Sequence, residues 1–192
     1  ESGGKVLFDD IKVYHALSGS DTPATPAPVT VPEPDKTYDF NGELTGLTSV
    51  NSKAGTENAP AEIALAEGKS GEENDRALAF TGENSGGVML DYAPTSKKYT
   101  ISFDAKLNTS AKYSPFILMM DYSGNDALVG DTDAKWVSIA PQGWQETLSN
   151  GPMIWSRDVA NGKSWNDIAA AGNNAMQLNK WQNITVTANG TS

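Results

Sequence analysis

The chain has 192 residues, enough to bury one sizeable core, and its net charge of −10 provides no surplus of Lys and Arg for binding phosphate. Neither nucleic acid nor an anionic membrane surface is an expected partner. The longest apolar run, residues 116–120, is too short to cross a bilayer, so membrane insertion is not expected. The absence of cysteine excludes disulfides and thiol chemistry and favours bacterial export over other secreted origins.

The first predicted strand covers residues 8–14 (Phe-Asp-Asp-Ile-Lys-Val-Tyr) and is typical of the closing strand of a β-sandwich. Period-two alternation places Asp9 on the same face as three aliphatic side chains, namely Leu7, Ile11 and Val13. An unpaired carboxylate on such a face is costly, so Asp9 is expected to have a partner. An oxygen-seeking cation such as calcium is one candidate.

The domain organisation follows from a proline-rich segment. Residues 19–36 contain five prolines and almost no bulky apolar side chain, which predicts an extended, semi-rigid linker. Residues 1–18 then supply a closing strand, either of a preceding copy or, by folding back or crossing to a neighbour, of the visible sandwich. Residues 37–192 form that sandwich, which is expected to lack its last strands, so the chain is expected to be a fragment.

Short alternating segments beyond the linker predict an all-β domain. The clearest strand is 99–107, whose odd positions are apolar, and residues 115–122 are apolar on both sides, which predicts a central strand. Further strands are predicted at 77–81, 87–92, 135–140, 152–157 and 181–188, and a short helix or turn is an alternative for 164–171. Many short strands separated by Gly, Asn, Asp and Pro indicate an antiparallel sandwich or jelly roll.

Four of these segments together resemble one family. They are Tyr-Asp-Phe-Asn-Gly at 38–42, Tyr-Thr-Ile-Ser-Phe-Asp-Ala-Lys at 99–106, Trp-Gln-Asn-Ile-Thr-Val-Thr at 181–187, and the strand and tail at 8–18. In order and spacing they resemble the concanavalin A-like, laminin-G-type jelly rolls of bacterial glycan-degrading enzymes and adhesins. Two departures are that the closing strand comes first and that no strand follows the turn at 189–192.

The resemblance implies a concanavalin A-like antiparallel β-sandwich in a secreted or cell-surface, multidomain bacterial protein. The implied function is a non-catalytic carbohydrate-binding or spacer module beside a glycoside hydrolase, with adjacent domains of the same polypeptide as partners. The alternative is a structural or adhesive repeat of a bacterial surface protein or fibre, with strand exchange between subunits.

No catalytic residue is predicted. Beta-glucanases of this fold carry a Glu-x-Asp-x-x-Glu strand that places paired carboxylates in a cleft, and this chain has no such motif. The acidic stretch at 72–75 is typical of a solvated loop. His15 has no nucleophile signature around it and is interpreted as a surface residue.

A poly- or oligosaccharide is the expected ligand, because all five tryptophans fall within residues 136–181. A flat aromatic ring stacks on the apolar face of a sugar while polar neighbours bind its hydroxyls. The alternative is that most of these rings fill the core. The candidate ligand-binding residues are Trp144 and Trp165, in turn-like surroundings, and Trp136, Trp155 and Arg157, on predicted strands.

Structural calcium is the one cofactor that the resemblance implies. Asp9 of the closing strand would be a ligand, and the opening strand would supply Asp39, Asn41 or Glu43. The acidic residues within 121–133 form a weaker candidate, because they lack the full EF-hand pattern and are typical of a solvated loop.

Overall fold

The computed structural model describes residues 6–15, 33–50, 62–81, 87–96, 98–108, 118–123, 135–140, 153–158, 163–170 and 176–189. These residues form strands joined in antiparallel pairs, and none of those described is helical. The strands are β1 (Val6–His15), β2 (Lys36–Tyr38), β3 (Leu47–Val50), β4 (Ile63–Glu67), β5 (Arg76–Phe80), β6 (Gly87–Leu90), β7 (Lys98–Leu107), β8 (Leu118–Ser123), β9 (Lys135–Ala140), β10 (Met153–Asp158), β11 (Lys163–Ala170) and β12 (Trp181–Asn189). The prediction of an all-β, antiparallel fold is confirmed.

The largest sheet has six strands, in the order β12-β7-β1-β5-β4, with β2 also paired to β1. β7 runs along one side of β1. On the other side, β5 pairs with residues 6–8 and β2 with residues 11–13. In this structure of a single chain, β1 pairs with strands of the same chain. β1 lies in the middle of the sheet.

A β-bulge divides β1 into two halves. Asp10 has a φ of 50°, and the register with β7 shifts between Asp9 and Lys12. Aspartate tolerates the left-handed region better than most residues, and the extra residue reverses the alternation of side chains beyond it. Asp9 therefore shares a face with Leu7, as predicted, but the prediction that Ile11 and Val13 lie on that face too is wrong. The face that carries Val6 and Phe8 also carries Ile11 and Val13, whereas Leu7 and Asp9 lie on the opposite face.

The first of these faces, the apolar face, carries the main core. Phe103 is buried at its centre, and the ring of Phe8 meets those of Phe80 and Phe103 with centroids 5.7 and 5.8 Å apart. The two-stranded β3–β6 sheet covers this face with Leu47, Val88 and Leu90, which gives the molecule a sandwich-like second layer. The other core members are Val6, Ile11, Val13, Tyr38, Phe40, Leu78, Tyr99, Ile101, Ala105, Leu107 and Met176.

Four strands form a separate sheet, in the order β11-β10-β9-β8. Two predictions are corrected here. The apolar segment 115–122 was predicted to be a central strand, but β8 stands at one end of this sheet. The segment 164–171, for which a helix or turn was considered, is occupied by the strand β11. This segment is a strand because the backbone of β10 pairs with it, a contact that local pattern does not reveal.

A candidate binding face above two buried carboxylates

The polar face is the side of the six-stranded sheet opposite the apolar face. β7 contributes its even-numbered residues, and β12 contributes the odd-numbered residues that pair with them. Alternation along paired strands keeps such partners on one face. Its polar members are Asp9, Lys12 and Tyr14 on β1, Lys98, Thr100, Ser102, Asp104 and Lys106 on β7, and Asn183, Thr185, Thr187 and Asn189 on β12.

Two carboxylates are buried in this face. Asp9 and Asp104 are Cα partners on β1 and β7 and are only 3% and 5% exposed. Both oxygens of Asp9 accept backbone N–H groups, Oδ1 from Asp10 at 2.8 Å and Oδ2 from Lys69 at 2.9 Å. The bulge at Asp10 thus provides one of the donors that make burial of Asp9 tolerable.

Asp104 is paired by side chains. The Lys69 ammonium lies 2.9 Å from its Oδ2, and the Asn183 amide donates to its Oδ1 at 3.3 Å. Lys69 therefore contacts both acids, one through its backbone and the other through its side chain. We call Asp9, Lys69, Asp104 and Asn183 the carboxylate cluster. It joins the β4–β5 connection to the middle of the sheet.

The β4–β5 connection is shaped to deliver Lys69. The backbone N–H of Gly68 donates to the carbonyl of Asp75 at 2.9 Å, and the N–H of Ser70 donates to the Asp75 carboxylate. A Cβ on Gly68 would lie 2.5 Å from the Asp75 side chain, so another residue there would displace the carboxylate that accepts the Ser70 N–H. The predicted solvated loop at 72–75 is exposed at Glu72 and Glu73, as expected, but Asp75 organises its fold.

Opposing effects act on the pKa of the buried Asp9 in the carboxylate cluster. Burial raises the pKa of the Asp9 carboxyl, although the N–H groups of Lys69 and Asp10 act in the other direction. The hydrogen bond to Asp104 raises the pKa of the Lys69 ammonium. Lys69 and Asp104 form an ion pair on the polar face. The arrangement leaves Asp9 with both oxygens engaged, which suits a structural role better than proton transfer.

Above the cluster, hydroxyl groups line up between β7 and β12. Thr100 Oγ1 lies 3.0 Å from Thr187 Oγ1, and Ser102 Oγ lies 3.2 Å from Thr185 Oγ1. Thr185 also donates to Asn183 Oδ1 at 3.2 Å. We call Thr100, Ser102, Thr185 and Thr187 the hydroxyl row. Their side chains are partly or fully exposed, so the row faces solvent.

A second polar group lies at the end of β1, where His15 joins two connections. Its Nδ1 is 3.0 Å from Asp35 Oδ2, and its Nε2 is 3.1 Å from both the backbone N and the Oγ1 of Thr95. The order Asp-His-Thr resembles a hydrolytic triad, but the Nε2 lone pair accepts the Thr95 N–H and is not available to the hydroxyl. The backbone N–H of His15 lowers the pKa of Asp35. We call His15, Asp35 and Thr95 the His15 tether. Its geometry indicates a structural role.

Three of the four residues predicted to bind calcium have other partners. Asp9 belongs to the carboxylate cluster, Asp39 accepts the N–H of Asn41 at 3.3 Å, and Asn41 Oδ1 accepts the N–H of Arg76 at 3.0 Å. Glu43 is exposed. Within the described ranges, no three Asp, Glu, His or Cys side chains come close enough to hold an ion. Asp9, Asp39, Asn41 and Glu43 do not bring together the oxygens that calcium needs, and calcium binding stays a prediction. Of the weaker candidate segment, 121–133, residues 124–133 lie outside the described residues.

Four of the five predicted ligand-binding residues fall on the four-stranded sheet. Trp136 lies on β9, Trp155 and Arg157 on β10, and Trp165 on β11. The register makes Trp136 the Cα partner of Arg157, and Trp155 the partner of Ser138 and Asp167. Trp144 lies outside the described residues. Their role in binding stays a prediction.

Sequence reasoning missed three members of the carboxylate cluster, Lys69, Asp104 and Asn183. Alternation along residues 99–107 was enough to place Asp104 on the polar side of its strand. Nothing in the local sequence connects it to Asp9, because their pairing depends on the bulge and on a separation of almost 100 residues. Lys69 lies in a Gly-rich connection with no recognisable motif.

Comparisons with known proteins provide no relative. No protein-family model matches the chain, and neither a curated protein nor a solved structure resembles it significantly. In the part of the chain that the structure describes, there is no helix of the length and apolarity required to cross a membrane.

Proposed function

We propose that this chain is a non-catalytic carbohydrate-binding module with a concanavalin A-like jelly-roll fold, from an exported bacterial multidomain protein that includes a glycoside hydrolase. The observation that carries the proposal is the solvent-facing hydroxyl row on the polar face. Sugars are bound by polar side chains held at fixed spacing on a rigid surface, and two adjacent strands of a sheet provide such spacing.

The aromatic component that glycan binding requires has a candidate on the same face. Trp181 pairs with Lys106, and it packs against the small apolar group of Leu7, Ala77 and Ala79 at one end of the row. Tyr14 pairs with Thr100 at the other end. Both aromatic residues are partly exposed, so each offers some ring surface beside the hydroxyls.

The carboxylate cluster supports the non-catalytic part of the proposal. A glycoside hydrolase requires two carboxyl groups that reach the glycosidic bond. Asp9 and Asp104 are opposite each other, but both are almost fully buried, and each is bonded to Lys69. Asp104 also accepts the Asn183 amide. In this geometry the acids hold the sheet and its β4–β5 connection together.

The test is a titration with soluble neutral and acidic polysaccharides, followed by tryptophan fluorescence with and without calcium. We expect saturable quenching that Thr185→Val combined with Thr187→Val weakens, since valine keeps the shape and removes the hydroxyls. Thr48→Val is the matched control, because Thr48 is exposed on β3 of a different sheet.

Trp144→Ala and Trp165→Ala test the other predicted surface. If these two changes abolish binding while the double valine variant binds normally, the site lies on the tryptophan-bearing segments and not on the polar face. A folded protein that responds to no polysaccharide contradicts carbohydrate binding altogether.

A structural or adhesive repeat is the second candidate, and the position of β1 favours it. β1 is separated from β2 by residues 16–35 and is enclosed by β7 on one side and by β5 and β2 on the other. The same pairing by a neighbouring copy would link molecules by strand exchange. Sedimentation of the purified chain tests this, and a monomer at all concentrations contradicts it.

A further inference from the structure

Lysines are concentrated on the polar face. Lys98 and Lys106 stand at the two ends of β7, and Lys12 is paired with Ser102 between them. Lys69 reaches the same face from the β4–β5 connection, where it meets Asp104. The chain as a whole is strongly acidic, with 14 Lys and Arg against 24 Asp and Glu. Lys12 and Lys69 are paired with Asp10 and Asp104, so the lysines of this face that remain in excess are Lys98 and Lys106.

The carboxylates of this face are mostly hidden from solvent. Asp9 and Asp104 are buried, and Asp104 is paired with Lys69. Asp10 is partly exposed, 3.6 Å from the Lys12 ammonium, and the partly exposed Asp75 lies close enough to Asp9 to raise its pKa. Among the described residues, Lys98 and Lys106 have no carboxylate within ion-pair distance. A ligand on this face consequently meets unneutralised positive charge at Lys98 and Lys106.

Lys98 and Lys106 are far enough apart that a polymeric ligand is needed to contact both. Lys98 and Lys106 are eight residues apart on one strand, which corresponds to roughly 27 Å at the rise of an antiparallel strand. The hydroxyl row lies between them. A hydroxyl has one donor and two acceptor positions, so each member retains capacity after bonding its neighbour. The face thus presents hydrogen-bonding groups flanked by cations along one line.

We propose that the polar face binds a linear acidic polysaccharide, whose carboxylate or sulfate groups contact Lys12, Lys98 and Lys106 while its hydroxyls contact the hydroxyl row. This inference rests on the proposed carbohydrate-binding function and names its ligand class. Lys69 stabilises the face through its ion pair with Asp104. Nucleic acid has a denser line of charge, which the remaining acidic surface of the chain would repel.

The experiment compares polygalacturonate with its fully methyl-esterified form, which has the same backbone without the charge. Chondroitin sulfate reports on sulfate as the anionic group, and double-stranded DNA reports on unspecific polyanion binding. Affinity is measured by calorimetry at low and high salt. We expect polygalacturonate or chondroitin sulfate to bind at least about tenfold more tightly than the methyl ester, with the difference shrinking in salt.

Two double variants test whether binding depends on the positions of the lysines or on the net charge of the chain. Lys98→Gln with Lys106→Gln is expected to weaken binding about tenfold, since two exposed ion pairs are lost. Arg76→Gln with Lys180→Gln removes the same charge from other exposed positions and is expected to change binding less than about twofold. Circular dichroism and thermal unfolding check that both double variants fold like the parent chain.

Each outcome decides between the two proposals. Equal binding of the charged and esterified polymers, or equal effects of the two double variants, overturns the acidic ligand and leaves carbohydrate binding standing. DNA binding as tight as that of the polysaccharides also overturns it. If no polysaccharide binds to the folded chain, both the ligand class and the proposed function fail.

Discussion

Phe103 and Asp104 are neighbours in sequence, both are almost completely buried, and they lie on opposite faces of β7. The phenylalanine is buried because removing its ring from water is favourable. The aspartate is buried at a cost, which Lys69 and Asn183 offset with charge-assisted hydrogen bonds. One strand therefore shows two different routes to burial, and they respond differently to mutation and to pH.

The largest effect is expected on the apolar face. Phe103→Ala leaves a cavity beside Phe8 and should lower the free energy of unfolding by about 3–5 kcal/mol. Thr185→Ala, on the polar face of the neighbouring strand, should change it by no more than about 0.5 kcal/mol. Urea denaturation of both variants measures the contrast, and similar losses in the two would mean that the apolar face is not the dominant core.

A smaller loss is expected from the carboxylate cluster. Asp104→Asn keeps the shape but removes the charge that pairs with Lys69, and should cost about 1–3 kcal/mol. Lys69→Met removes the other partner. In a double-mutant cycle the two changes should be coupled by about 0.5 kcal/mol or more, since they break the same contact. Additive effects would show that the 2.9 Å contact contributes nothing to stability.

The pH dependence of Asp9 tests how it is buried. Its pKa is raised in the folded state, so the folded protein binds this proton more tightly than the unfolded chain does. The contribution of Asp9 is therefore largest below the unfolded value near 3.8 and is lost as pH rises through the folded pKa. The difference in unfolding free energy between the parent and Asp9→Asn should fall with rising pH in that window. A difference that rises would mean that the two N–H donors outweigh burial.

The smallest effect is expected at the His15 tether, with the opposite sign. The pKa of Asp35 is lowered by the backbone N–H and side chain of His15, so its contribution is present above pH 3.8 and is lost as pH falls through the folded pKa. The parent should lose stability relative to Asp35→Asn in acid. The tether is exposed, so the loss should be small and should shrink in high salt. Equal acid sensitivity of the two proteins would contradict the tether.

Many of the described strands could be predicted because their sequences keep a period-two alternation of apolar and polar residues. The segment 99–107 was predicted nearly to the residue, as was 135–140. β3 and β4 were missed because their alternation covers only a few residues. The sheet position of β8 was wrong, since apolarity on both sides indicates burial but does not show which strands pair.

The site was less predictable, and the bulge in β1 is the main reason. Asp9 was correctly expected to be buried and to need a partner. The predicted face of Ile11 and Val13 relative to Asp9 was wrong, because one residue in the left-handed region, Asp10, reverses the alternation beyond it, and aspartate in a strand gives no clear signal of a bulge. The partner, Lys69, comes from a connection 60 residues away, which no local pattern identifies.

The central position of β1 has a consequence for how the chain reaches its native state. β7 and β5 share a neighbour, β1, that is distant from both in sequence, so the sheet cannot close until β1 inserts between them. Such long-range closure is slow, because chain entropy is lost before the pairing is gained. Once inserted, β1 is held by hydrogen bonds on both sides and not by its covalent connection. A protease cut within residues 16–32 would consequently nick the chain without releasing its first strand.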